Sequence, residues 1–230
     1  MSELARLDGP IVPPASGGDA HSMVILLHGF GSNGDDLIAL APYWRDLLPN
    51  TVFLAPNAPQ PCPGAPGGFQ WWALTGGAGG GREAGVRQPA PALNAFIDAQ
   101  LARYGLTEDR LALVGFSQGT MLALHIAPRR AHALAGVVGY SGMLVDPEAL
   151  AAEGQTRPPV LLVHGDADPM VPFTALREAV TSLTALGFEI EAHTSPGLGH
   201  SIDAAGLQLG GSFLAGALAS PRRTSSETLR

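Results

Sequence analysis

The sequence predicts an α/β fold in which a mostly parallel central sheet is flanked by helices. Three observations carry that expectation. Six short apolar runs alternate with longer segments of helical spacing. The runs are nearly continuous in apolar character, as strands covered on both faces are. One of them leads through Gly115-Phe116-Ser117-Gln118-Gly119 into a helical segment, a strand–turn–helix setting with glycines on both sides of a serine.

Taken in order, residues 1–20, with Pro10, Pro13 and Pro14, read as an irregular N-terminal arm over the surface. The first strand runs from Met23 to Leu27, followed by a helix at about 35–48 and a strand from Thr51 to Ala55. Residues 56–89 are crowded with Pro and Gly yet carry Phe69, Trp71 and Trp72. A loop of that length within a domain is usually functional or mobile. Helices follow at about 90–104, 118–127, 172–186 and 201–216, the third of these opened by Pro172. The remaining strands are Leu111 to Val114, Leu134 to Tyr140, Val160 to Val163 and Phe188 to His193. The domain thus spans residues 21–218, and the polar residues 219–230 read as a disordered tail. The strand count leaves no room for a large inserted lid domain, and no repeat is present.

Composition narrows the chemistry. A chain of 230 residues with net charge -7 has a core of ample size and lacks the basic surface that nucleic acid requires. No apolar run is long enough for a membrane helix, so stable membrane insertion is not expected. The opening Met1-Ser2-Glu3-Leu4-Ala5-Arg6 has no secretory pattern, which makes the cytoplasm the expected location. Cys62 is the single cysteine, so no internal disulfide or Cys-rich metal site forms. No metal site is expected, because no His-x-x-x-His or acidic cluster has ligand spacing. Every basic residue is Arg. The absence of Lys removes Schiff-base chemistry, pyridoxal-phosphate attachment, Ser–Lys dyads and the P-loop lysine.

Ser117 is the candidate nucleophile. The flanking glycines suit a tight turn with close backbone approach. The serine then projects at a helix N-terminus, where amide N–H groups favour developing negative charge. A chance Gly-Ser-Gly turn is the competing reading, but chance matches seldom fall between a buried strand and a helix. A serine hydroxyl needs a base. Of the seven histidines, only His200, in Pro196-Gly197-Leu198-Gly199-His200, follows the last strand and satisfies the order Ser, acid, His. His28 and His164, each at a strand end before Gly, also reach the carboxyl edge of the sheet, and His164 is the second choice. Among the acids, Asp168 in Gly165-Asp166-Ala167-Asp168-Pro169 lies far enough along its turn to fold back toward the base. Asp166 reads as a brace of its own turn, and Asp146, before Pro147, as the cap of a short helix. The acid fixes the histidine tautomer and stabilises the cation.

An oxyanion needs two N–H donors. One is the amide of Gln118, after the nucleophile. The other is the amide of Phe30 in His28-Gly29-Phe30-Gly31, the loop after an early strand. By itself that loop reads equally as a strand-ending turn; the elbow downstream strengthens it.

Three segments together resemble the phospholipase/carboxylesterase family, which includes the acyl-protein thioesterases: Leu26-Leu27-His28-Gly29-Phe30-Gly31, Gly115-Phe116-Ser117-Gln118-Gly119 and His164-Gly165-Asp166-Ala167-Asp168-Pro169-Met170-Val171-Pro172. Ala55-Pro56-Asn57-Ala58-Pro59 and Gly197-Leu198-Gly199-His200 extend the likeness, which runs from about Val24 to about Phe213. The resemblance implies an α/β-hydrolase fold without a lid, acting on carboxylic esters or thioesters and using no cofactor. It puts the triad on Ser117, Asp168 and His200 and the oxyanion donors on Phe30 and Gln118. Relatives are often dimers, so a homodimer is an expectation of the resemblance alone. In place of the Trp-Phe-Asp run common in the family stands Gln70-Trp71-Trp72-Ala73-Leu74, which makes transfer of substrate by analogy unsafe.

The expected substrate is a small-molecule ester or thioester of short to medium acyl length. An apolar acyl pocket is expected from Phe30, Trp71 or Trp72, Leu74, Met170 and Val171; the tryptophans suit plain core packing equally well. Two rivals remain: a non-catalytic protein that binds a small ligand on the same fold, and a lactonase or amidase using the same triad.

Overall fold

A seven-stranded sheet organises the chain. The structure, a computed structural model, describes residues 5–74 and 81–219. The strands are β1 (Ile11–Val12), β2 (Ser22–Leu27), β3 (Thr51–Leu54), β6 (Leu111–Phe116), β7 (Gly136–Tyr140), β8 (Val160–Gly165) and β9 (Ile190–Ser195). They lie in the order β1-β3-β2-β6-β7-β8-β9, and all neighbours pair in parallel except β1, which runs antiparallel to β3. A separate two-stranded hairpin joins β4 (Gln60–Pro61) to β5 (Phe69–Gln70). The helices are α1 (Gly34–Ile38), α2 (Ala41–Trp44), α3 (Arg82–Arg87), α4 (Ala90–Tyr104), α5 (Gln118–Ile126), α6 (Pro147–Glu153), α7 (Thr174–Ala185) and α8 (Ala204–Ala219).

The apolar runs of β2, β6, β7 and β8 are continuous because both faces of the sheet are covered. Alternate side chains go to opposite layers. Met23, Ile25 and Leu27 pack with α4 and α5 through Leu93, Ile97 and Leu122, whereas Val24 and Leu26 pack with Trp44 of α2 and Leu214 of α8. No separate lid domain stands over the sheet among the described residues, and none of the described helices is long and apolar enough to cross a membrane.

Several elements depart from the sequence expectation. The helix expected at 35–48 is two short helices, with Pro42 in the first turn of α2. Within the arm expected to be irregular over residues 1–20, Ile11 and Val12 form a short strand that pairs with Leu54 and Phe53. The last strand and last helix each start two or three residues later than expected. Asp146 does cap α6, accepting from Ala149 N–H at 3.0 Å. Of the expected tail 219–230, Ala219 ends α8 and residues 220–230 lie outside the described residues.

His125, on α5, is buried, and its pKa is lowered to about 4 by that burial and then by repulsion from Arg129 and Arg87. A histidine depressed in the folded state takes up its proton more readily when unfolded. Stability is therefore full above about pH 6.5 and falls as the pH drops toward 4. Burial also lowers the pKa of His28, which adds to the slope in the same sense. Urea unfolding at pH 7 and pH 5 is expected to differ by about 2 kcal/mol from His125, and His125→Leu should flatten that part of the difference. Equal stabilities at the two pH values in the wild type would rule this out.

Candidate active site

The turn from β6 into α5 is as short as a chain allows: Ser117 alone separates the two elements, at φ 52° and ψ -113°. A side chain in place of Gly115 would strike the Thr120 amide, and one in place of Gly119 would strike the Leu27 carbonyl. Only glycine permits this approach of helix to strands. The hydroxyl of Thr120 ties the turn further, 2.8 Å from Gly115 O and 2.9 Å from Tyr140 O. Ser117 N–H donates to Tyr140 O at 2.9 Å. The serine is thus held by its main chain, while its Oγ has no hydrogen-bond partner among the described residues.

Asp168 lies on the turn after β8, its side chain fully buried. Oδ1 accepts the amides of Met170 (2.8 Å) and Val171 (2.9 Å). Oδ2 accepts His200 Nδ1–H at 2.7 Å. Burial alone would raise the pKa of this carboxyl. The hydrogen bonds from His200, Val171 and Met170 outweigh it, and the net direction is down, toward the anion. With Nδ1 committed to Asp168, Nε2 of His200 is the nitrogen left to accept a proton. The imidazole lies 4.9 Å, centroid to centroid, from the ring of Phe116, the residue before Ser117.

The loop that carries His200 is fastened at several points. Asp166 Oδ1 accepts Gly197 N–H at 2.6 Å, so this carboxylate braces the histidine loop and not its own turn, as the sequence suggested. Ala167 N–H donates to Leu198 O at 3.1 Å, and the Ser141 hydroxyl reaches Ser201 O at 3.3 Å. His164, the second choice for base, is buried on β8, where its Nε2 bonds to Val171 O at 2.9 Å and lies 3.4 Å from Asp168 Oδ2.

The loop after β2 approaches the serine from the other side. A side-chain carbon on Gly29 would touch Ser117 Cβ at 3.4 Å. His28 is buried, and its Nε2 accepts Ala58 N–H at 3.0 Å. The proton therefore sits on Nδ1, which donates to Gly29 O at 2.7 Å. Ser32 N–H donates to the same oxygen at 3.2 Å. In a trans peptide the carbonyl and the next N–H point oppositely. Pinning Gly29 O thus turns Phe30 N–H to the other side, where it has no acceptor among the described residues. Gln118 N–H, at the start of α5, is likewise without one.

Gln118 also contributes its side chain, a role the sequence reading missed. Its Oε1 accepts Trp71 N–H at 2.9 Å and its Nε2 donates to Trp72 O at 2.8 Å, which fastens the long loop to the start of α5. The available signal was a glutamine directly after the serine together with a long Pro- and Gly-rich loop whose main chain needs partners.

The acyl pocket requires correction. Trp71 (0% exposed), Trp72 (2%) and Val171 are core residues. Trp71 donates from Nε1 to His28 O at 2.9 Å, and Trp72 lies directly against Gly85 of α3. Phe30 (41%), Leu74 (51%) and Met170 (68%) are exposed instead, each within three residues of Gln118's grip, the Phe30 amide or Asp168.

Known proteins resemble this chain in sequence and fold. The family model described as Phospholipase/Carboxylesterase matches residues 11–217. The crystal structure of esterase PE8 superposes with a TM-score of 0.88 at 44% identity, over 93% of this chain and 100% of that one. Acyl-protein thioesterase 1 of Schizosaccharomyces pombe is 33% identical over 178 residues, 73% of this chain and 77% of its own. Esterase YpfH of Escherichia coli is 24% identical over 82% of this chain and 80% of its own. From the sheet order, the elbow and these likenesses together, the chain belongs to the phospholipase/carboxylesterase family of α/β-hydrolases and is a serine hydrolase of carboxylic esters.

Proposed function

We propose that the protein cleaves short to medium acyl esters and thioesters through an acyl-enzyme on Ser117. His200 Nε2 takes the hydroxyl proton as Oγ attacks the acyl carbon, and returns it to the leaving group as the tetrahedral intermediate collapses. Water, deprotonated by the same nitrogen, then releases the acid and regenerates the serine. Asp168 holds the imidazole with Nδ1 protonated and stabilises the imidazolium. The amides of Phe30 and Gln118 receive the oxyanion, a contribution of about 3 kcal/mol per donor in comparable sites. The observation that carries this reading is the 2.7 Å bond from His200 Nδ1 to a buried Asp168 that two amides hold ionised.

The exposed Phe30, Leu74 and Met170 support an open apolar strip beside the serine for the acyl chain. Such a surface suits chains of modest length that solvent still reaches. Hydrolysis of p-nitrophenyl esters from acetate to decanoate is expected to peak at short or medium length. Met170→Ser should raise KM about fivefold for hexanoate, the worth of roughly 1 kcal/mol of apolar contact, and leave acetate unchanged. A matched thioester series reads the leaving-group preference. Equal KM for hexanoate in wild type and variant would remove Met170 from the acyl surface. A folded wild type inert to every ester and thioester would favour a ligand-binding role.

A further inference from the structure

We propose that His164 is a positioning residue for Asp168, an imidazole on a core strand whose Nε2–H ties the acid's turn and carboxylate to the sheet. The proposal deepens the triad reading above and rests on it. His164 is the last residue but one of β8, its side chain almost completely buried. Its Nε2 lies 2.9 Å from Val171 O. A carbonyl oxygen can only accept, so the proton is on Nε2. The same Nε2 stands 3.4 Å from Asp168 Oδ2, the oxygen that binds His200. One N–H is thus shared between a main bond to Val171 and a longer contact with the carboxylate.

The consequence is mechanical. Asp168 sits past the end of β8, on a turn whose own bonds, from Met170 and Val171 to Oδ1, are internal to that turn. Internal bonds fix the shape of a turn but not its placement. Ala167 N–H ties the start of the turn to Leu198 of the histidine loop, and His164 ties its far end to the sheet, reaching from the strand to the carbonyl of Val171, the residue whose amide already holds Oδ1. Both ends of the Val171 residue are then spoken for, and the carboxylate has one orientation relative to the sheet. Phe173 packs edge-on against the His164 ring, with centroids 6.3 Å apart, and limits its rotation. In the same sheet, Ser117 N–H is fixed to Tyr140 O of β7, the strand beside β8. His164 therefore places the acid in the frame that already holds the nucleophile.

Three substitutions test this. His164→Leu and His164→Met remove the donor and keep apolar bulk, whereas His164→Gln keeps an N–H near the position of Nε2. With p-nitrophenyl butyrate, the Leu and Met variants are expected to lose about ten- to hundredfold in kcat with KM within twofold, and Gln should recover most of the loss. The second readout is the far-downfield proton resonance of His200 Nδ1–H on Asp168, expected in wild type and Gln and lost or broadened in Leu and Met. A folded Leu or Met variant with wild-type kcat, or with that resonance unchanged, overturns the proposal. So does failure of both to fold, which would assign His164 to the fold alone. Ser117→Ala in the same assay separates the two readings: full activity there would sink the triad, while an inert Ser117→Ala beside a fully active His164→Leu would sink only the role of His164.

Discussion

Ser117→Ala is expected to lower kcat for p-nitrophenyl butyrate by on the order of 10⁴- to 10⁶-fold, with Tm within about 2 °C of wild type. The two halves of that result have separate causes. The hydroxyl is the group proposed to bond to the acyl carbon, so its removal ends covalent catalysis and leaves only binding and the oxyanion donors. The fold has little stake in it, because Ser117 is held through its main chain and its Oγ bonds to nothing among the described residues. Circular dichroism and thermal melts alongside the kinetics check both. Residual activity within tenfold of wild type would mean that another residue attacks.

Asp168→Asn is expected to cost about 10⁴-fold in kcat, and the hydrogen bonds around Asp168 say why. Oδ1 receives two main-chain N–H groups, from Met170 and Val171. An amide can meet them only with its oxygen. Its NH2 must then face His200, where Nδ1 becomes an acceptor. The imidazole proton moves to Nε2, the nitrogen proposed to take the serine proton. The same NH2 also meets the N–H of His164, 3.4 Å from that position in the native structure. The substitution thus changes no more than one atom of the acid and inverts the tautomer of the base. Kinetics at pH 7 to 9, with a fold check, decide it; activity within tenfold of wild type throughout would show that the tautomer is set by something other than Asp168.

The strands were legible because β2, β6, β7 and β8 are buried on both faces, and such strands leave continuous apolar runs. The elbow was legible because steric demand writes itself as glycine: positions 115 and 119 abut backbone that no side chain can share. That Asp168 and His200 would pair was legible from chain order, since the order of strands along the sheet sets which turns can meet. What stayed hidden depends on contacts between distant segments. Trp71 and Trp72 look the same in sequence whether they wall a pocket or fill a core. The space for Trp72 comes from Gly85, on a helix with no strong periodic pattern. The work of the Gln118 side chain is equally remote, because its partners lie 46 and 47 residues away. The pairing of β1 depends on a register with β3 some forty residues on, which two residues between prolines do not announce.

The two borders of the sheet bear on how concentrated solutions of this protein behave. An open strand edge invites another chain to continue the ladder, and proteins commonly blunt it with prolines, brevity or charge. Here one border is β1, two residues long and bracketed by Pro10 and Pro13, which bring no amide hydrogen. The other is β9, six residues long with exposed Glu191 near its start, so a second copy laid alongside would set like charges close together. Sheet-to-sheet extension is thereby disfavoured at both ends. A second copy of this chain therefore gains little by continuing the ladder at either border.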